Sequence, residues 1–177
     1  MRIIGGKFGG RVIQPFKNLP ARPTTDRTKE ALFNILEHQI DWEETHVLDL
    51  FSGTGNISLE CWSRGAKLVH SVERDRKCIA SIRQAFKQLD LPTDYIFQND
   101  VLKYVKHSPF TYDLIFMDPP YAMDGQEALI ENILQKPMLK EEGMLVVEHM
   151  SQRDFSALHG FQRVRKYGSS SISFFLV

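Results

Sequence analysis

Asp118-Pro119-Pro120-Tyr121 puts a carboxylate, two proline rings and an aromatic side chain into four consecutive residues. The tetrapeptide follows an apolar run, Leu114 to Met117, so it falls where a buried strand ends and the chain turns out of its sheet. Proline has no backbone N–H and a fixed φ. The turn therefore offers carbonyls without competing donors, next to one carboxylate and one ring face. Such a surface can accept hydrogen bonds from a flat amino group and stack on the ring that carries it. An amine on a nucleobase fits that description. Its lone pair is shared with the ring, which makes it a poor nucleophile. Two acceptors on its hydrogens turn the lone pair toward an electrophilic carbon, and positioning and electrostatics then supply most of the acceleration.

A second signal lies upstream. Val47-Leu48-Asp49-Leu50-Phe51-Ser52-Gly53-Thr54-Gly55 is a strand running into a glycine loop. A dinucleotide fingerprint would place a third glycine where Ser58 stands. Asp49, expected at the mouth of the loop, would repel a pyrophosphate but pair with the ammonium of an amino-acid moiety. Glu73 ends the next strand and is placed to accept both hydroxyls of a ribose; Asp100 ends the third and can accept from an adenine amino group. Amine, ribose and adenine in that order describe S-adenosylmethionine and disfavour NAD. Phe51, Ser52, Gly53, Gly55 and Asn56 in the loop, Arg74 beside Glu73 and Val101 beside Asp100 complete the expected cofactor pocket. Neither a metal nor a nucleophilic cysteine is needed.

These residues require strands that end together. Apolar runs near 45–51, 67–73, 94–98, 112–118 and 143–148 read as strands, with helices near 55–64, 75–89 and 124–135 between them. Ile79, Ile82, Phe86 and Leu89 form one apolar face behind an Asp75 cap. The alternation implies an α/β, Rossmann-like, mostly parallel doubly wound sheet with ligands at the carboxyl ends of its strands. Phe161 to Lys166 and Ile172 to Val177, joined through Gly168, read as an antiparallel hairpin closing the sheet. At the other end, four glycines within residues 5–10 suggest a short hairpin or a floppy arm, followed after Arg22-Pro23 by a helix capped by Thr25 or Asp26. The expected division is an extension over residues 1–40 and a catalytic domain over 41–177.

A 177-residue chain that is 42% hydrophobic is one domain with a proper core. No run approaches membrane-spanning length and no signal peptide opens it. Cys61 and Cys78 lack metal-ligand spacing and read as buried thiols of a reduced, cytoplasmic protein. Formal charge is zero but uneven. Residues 1–30 hold seven Lys/Arg against two Asp/Glu, while 31–150 hold eleven against nineteen. A basic arm on an acidic body suggests a polyanion partner, with Arg2, Lys7, Arg11, Arg22 and Arg27 as its contacts and Arg163, Arg165 and Lys166 in support.

The chain resembles the small-subunit ribosomal RNA guanine-N2 methyltransferase family (RsmD) over nearly its whole length. Arg2-Ile3-Ile4-Gly5-Gly6, Arg22-Pro23-Thr24-Thr25-Asp26-Arg27, the glycine loop, Glu73-Arg74, Asp118 to Tyr121 and Tyr167-Gly168 carry the likeness. The first two blocks are the specific ones. The resemblance implies a class I S-adenosylmethionine-dependent fold and methylation of a guanine 2-amino group in 16S rRNA on the small ribosomal subunit. It also implies that Asp118 and the Pro119 carbonyl hold the amine while Tyr121 stacks the base. A monomer is expected. Phe8-Gly9-Gly10-Arg11 departs from the more basic opening of many members. A DNA adenine-N6 methyltransferase shares the loop and the turn but needs a target-recognition domain for which 177 residues leave no room. A glutamine methyltransferase would carry Asn at position 118. A non-catalytic RNA-binding module with a relic pocket is the alternative from another class.

Overall fold

The computed structural model describes residues 1–20 and 26–177. Arg22, Pro23, Thr24 and Thr25 lie outside the described residues, so the Arg22 contact and the Thr25 cap have no structural account. Among the described residues seven strands form one sheet: β1 (His46–Leu50), β2 (Leu68–Glu73), β3 (Ile96–Gln98), β4 (Tyr112–Met117), β5 (Leu139–Met150), β6 (Phe161–Tyr167) and β7 (Ser170–Leu176). Their order is β3-β2-β1-β4-β5-β7-β6. The first five run parallel, and β7 and β6 close the edge antiparallel, as the alternating pattern and the final hairpin imply.

The central strands are apolar at almost every position because both of their faces are covered. Leu48, Leu50, Ile115 and Met117 pack on one face against α4 (Val101–His107) and α5 (Gln126–Gln135). Val47, Leu114 and Phe116 point the other way, against Leu32, Phe33 and Leu36 of α1 (Asp26–Leu36). Beside them, α2 (Asn56–Ser63) follows the glycine loop and α3 (Arg76–Gln88) follows β2. Asp75 caps α3 by accepting from the N–H groups of Lys77 and Cys78. Cys61 and Cys78 are buried and not joined in a disulfide. Among the described residues no helix is long and apolar enough to cross a membrane.

Three elements differ from the sequence reading. The helix α4 has no counterpart there, although Asp100 caps it through the Lys103 N–H at 3.1 Å and Val101, Tyr104 and Val105 recur at helical spacing. Seven residues are too few for a clear period. The strand β5 begins at Leu139, which pairs with Tyr112 before a register shift; Glu142, at φ +61°, makes an irregularity that masked the first part of the strand. At the amino terminus the two expected strands reduce to a single bridge between Arg2 and Val12.

That terminus is nevertheless fixed. Ile3, Phe8 and Ile13 are buried in a third apolar cluster with Ile79, Ile82 and Phe86 of α3. The N–H groups of Ile4 and Gly5 both donate to the Glu60 carboxylate at 2.8 Å. The Lys7 N–H donates to the Ser63 carbonyl and the Phe8 N–H to the Ser63 hydroxyl. Gly6, at φ +71°, approaches α2 so closely that a Cβ would lie 1.8 Å from the Ser63 carbonyl oxygen. The glycines serve close approach, and the arm is a docked element.

Candidate active site

The carboxyl ends of β1, β2 and β4 and the turn after β3 face one open cavity of about 840 Å³. Phe51, Gly53, Glu73, Arg74, Asp100, Val101, Asp118, Pro119 and Tyr121 all line it. A second space of about 20 Å³ lies behind the glycine loop, bordered by Asp49, Ser52, Asn56 and Asp118 as well as Phe51 and Gly53. Widely separated stretches of chain therefore converge.

The loop is shaped by its own hydrogen bonds. Phe51 and Gly53 adopt positive φ, +60° and +52°, and for Phe51 that backbone is a strained one. It is held because the Ser52 N–H donates to the Val72 carbonyl and the Gly55 N–H to the Ser52 carbonyl. Gly55, at φ +78°, lines neither space. A Cβ there would lie 3.1 Å from Ile82, so this glycine serves helix packing. The Glu73 carboxylate accepts from the N–H groups of Gly53 (3.0 Å), Arg74 (2.8 Å) and Asp75 (2.9 Å), which fixes it at the cavity wall. Asp100 shares its carboxylate with the cap of α4.

Asp49 lies beneath the loop, only 1% exposed, and reaches the site through the smaller space. Its Oδ2 accepts from the Ser58 N–H at 3.1 Å and the Ser58 hydroxyl at 2.5 Å. Burial pushes its carboxyl up to about 7, against the downward pull of those two bonds. Ser58, where a dinucleotide fold would have glycine, therefore orients an acid. Asn56 borders the same space, with its Oδ1 accepting from Lys29 Nζ at 2.7 Å.

In the turn after β4 the Asp118 and Tyr121 side chains are half-buried at the cavity wall. The expectation of unengaged carbonyls holds for Pro119, whose carbonyl accepts no hydrogen bond among the described residues. It fails for Pro120, whose carbonyl accepts from the Met123 N–H at 2.8 Å and from Gln126 Nε2 at 3.3 Å. That bracing is structural, and no sequence pattern marked Gln126.

The described basic residues expected to meet RNA lie away from the cavity lining. Arg2, Lys7, Arg11 and Arg27 are exposed. Arg2 pairs with Asp26 at 3.5 Å, while Lys7 and Arg11 flank the Phe8 ring at 5.3 and 5.2 Å. Arg163 is half-buried: it stacks on Phe174 and donates to Gln39, so it is less available than Arg165 and Lys166.

Comparison with known proteins agrees with this architecture. The family described as Conserved hypothetical protein 95 matches residues 1–176. YlbH of Bacillus subtilis is 31% identical over 99% of this chain and 98% of its own. Ribosomal RNA small subunit methyltransferase D of Haemophilus influenzae is 32% identical over 84% of this chain and 78% of its own. The solved structure of a hypothetical protein from Thermus thermophilus superimposes with a TM-score of 0.87 at 26% identity, covering 100% of this chain and 99% of that one. On a match that runs from the docked arm to the closing hairpin, the chain belongs to the Conserved hypothetical protein 95 family, alongside relatives named ribosomal RNA small subunit methyltransferase D.

Proposed function

We propose that the protein transfers the methyl group of S-adenosylmethionine to the 2-amino group of a guanine in 16S rRNA, acting on the small ribosomal subunit in the cytoplasm. The observation that carries this reading is one cavity with two chemistries. Its wall from β1, β2 and the turn after β3 bears hydroxyl- and amine-accepting carboxylates, and its wall from β4 bears Asp118, the Pro119 carbonyl and Tyr121.

The residues present fit the cofactor. A cavity of about 840 Å³ is large enough for a nucleoside with an attached base. Glu73, already fixed by three N–H donors, would accept the ribose hydroxyls, Asp100 would face the adenine amino group, and Asp49 would pair with the ammonium through the smaller space. When bound, S-adenosylmethionine supplies a sulfonium methyl as the electrophile. Asp118 and the Pro119 carbonyl accept the two amine hydrogens and hold the nitrogen lone pair in line with that methyl. Tyr121 stacks the guanine and fixes its plane. The exposed cations Arg2, Lys7 and Arg11 of the arm and Arg27 of α1 meet the RNA backbone, and their contribution is salt-dependent.

The test is methyl transfer from labelled cofactor to small subunits and to protein-free 16S rRNA, with the product mapped by nuclease digestion and mass spectrometry. The expected product is a single N2-methylguanine in 16S rRNA, absent from the rRNA of cells lacking the protein. Label appearing instead on DNA adenine or on a glutamine side chain, with none on RNA, overturns the reading.

A further inference from the structure

The ammonium of Lys29 is fully buried, which for a lysine requires compensating partners. Its Nζ donates to the Arg2 carbonyl at 2.6 Å and to Asn56 Oδ1 at 2.7 Å, and lies 3.3 Å from Glu60 Oε2. These three partners belong to two different parts of the molecule, the amino-terminal arm and α2. Arg2 is in the amino-terminal arm. Asn56 is the first residue of α2, directly after the glycine loop. Glu60, one turn further along α2, accepts from the Ile4 and Gly5 N–H groups of the same arm and from Arg64 Nε at 3.1 Å. From these contacts we infer that Lys29 is a positioning residue that couples the arm to the cofactor loop, so that RNA on the arm and cofactor in the loop bind cooperatively.

The physical argument is that one ammonium satisfies acceptors on both sides. An arm displaced from α2 takes the Arg2 carbonyl away from Nζ and the Ile4 and Gly5 donors away from Glu60. A buried charge cannot be left without partners, so the ammonium must shift, and the Asn56 side chain that borders the space behind the loop shifts with it. Anything that holds the arm docked therefore favours the loop conformation set by α2. By linkage the reverse holds equally, and couplings of this kind commonly run from about fivefold upward. Burial also lowers the Lys29 pKa in spite of the adjacent Glu60 carboxylate, so the charged state itself depends on this set of partners staying in place. The inference rests on the proposed reading of the arm as an RNA contact and of the loop as a cofactor seat.

The experiment is a binding cycle on the full chain. Calorimetry gives the affinity for S-adenosylhomocysteine alone and in the presence of a saturating 16S rRNA fragment that contains the methylated guanine. In the wild type RNA should tighten nucleoside binding by about fivefold or more. In Lys29→Met/Glu60→Gln, which removes both charges together, that ratio should fall to one while each ligand still binds by itself. Should the double variant fold poorly by circular dichroism, Asn56→Ala removes the acceptor and leaves the ion pair intact; it should abolish the same ratio whatever it does to either affinity alone. A role in stability alone would change melting temperature and leave the ratio untouched. A wild-type ratio of one, or an undiminished ratio in the variant tested, overturns the coupling. Loss of the proposed function looks different: there the wild type binds no nucleoside or methylates no RNA.

Discussion

If the ionised Asp49 pairs with the ammonium of the cofactor, cofactor affinity must follow the titration of this buried acid. Its carboxyl is held at about 7 by burial, against an ordinary value of 3.8. At pH 5, two units lower, only about one molecule in a hundred carries the charge, so apparent affinity falls by about a hundredfold, or about 2.7 kcal/mol, relative to the fully ionised acid facing a protonated amine. An α-amino group stays protonated up to about pH 7.7–8.0, so affinity should peak between about pH 7 and 8 and decline on both sides. Asp49→Asn keeps an oxygen for Ser58 but has no charge to lose, and its weaker affinity should stay flat from pH 5 to 7. The assay is calorimetric titration with S-adenosylhomocysteine in buffers matched for ionisation heat. A wild-type dissociation constant that does not change between pH 5 and 7.5, or an Asn variant that follows the same curve, refutes the assignment.

The same shift sets a stability signature of known sign. Because the folded pKa lies above the unfolded one, the native state holds a proton that the unfolded chain has lost between about pH 4 and 7. The stabilisation is fully present below about pH 4 and disappears as pH rises through 7, a change of at most about 4 kcal/mol. Denaturant melts of the protein without cofactor should show Asp49→Asn gaining on the wild type across that window. Equal pH slopes would mean that the carboxyl is not buried as described.

Other perturbations separate the remaining roles. Asp118→Ala should leave S-adenosylhomocysteine affinity nearly intact and lower single-turnover methyl transfer by about a hundredfold, and a near-normal rate removes it from the reaction. Tyr121→Ala should cost about 1–3 kcal/mol in the same assay through lost stacking. Lys7→Glu/Arg11→Glu should raise the RNA KM and flatten its salt dependence while cofactor affinity holds; kinetics identical to wild type at every salt concentration take these residues out of the footprint. Glu60→Ala leaves Lys29 buried beside a missing carboxylate and deletes the acceptor for Ile4 and Gly5. It should destabilise by about 3–5 kcal/mol and open the arm to proteolysis, and a melt unchanged from wild type would contradict the buried pair.

The parts of the molecule that could be read from the sequence are those governed by local period and by strand ends. Parallel strands buried on both faces are apolar runs, so β1, β2 and β4 are visible, and an acid that closes such a run must lie at the sheet's carboxyl edge. That rule brings Glu73, Asp100 and Asp118 to one cavity without any knowledge of packing. It fails in depth: Asp49 follows the same rule yet sits under the loop, because it lies within β1, one residue before the strand ends, and Ser58 folds over it. Long-range polar pairing was not readable at all. Lys29 and Glu60 look like solvated helix charges, and each is fully buried. His70 gives no sign that it is enclosed by Tyr112 and Phe110, with burial lowering its pKa to about 4.

The pairing of Lys29 with Glu60 also changes what the glycines of the arm mean. Read alone, four glycines in six residues suggest a segment that orders only when it meets RNA. Docked, they are the reason the backbone can lie against α2, where Glu60 and Ser63 accept or donate to Gly5, Lys7 and Phe8. A disordered arm would bring RNA affinity at the entropic cost of ordering it. Docked, the arm brings both Lys7 and Arg11 over the Phe8 ring. The carboxylate that anchors the arm belongs to the helix that begins at the glycine loop, so the arm and the proposed cofactor seat share one support. Under the proposed function, a reaction whose rate depends on aligning an amine with a methyl gains from contacts that tie the proposed RNA-binding arm to the pocket.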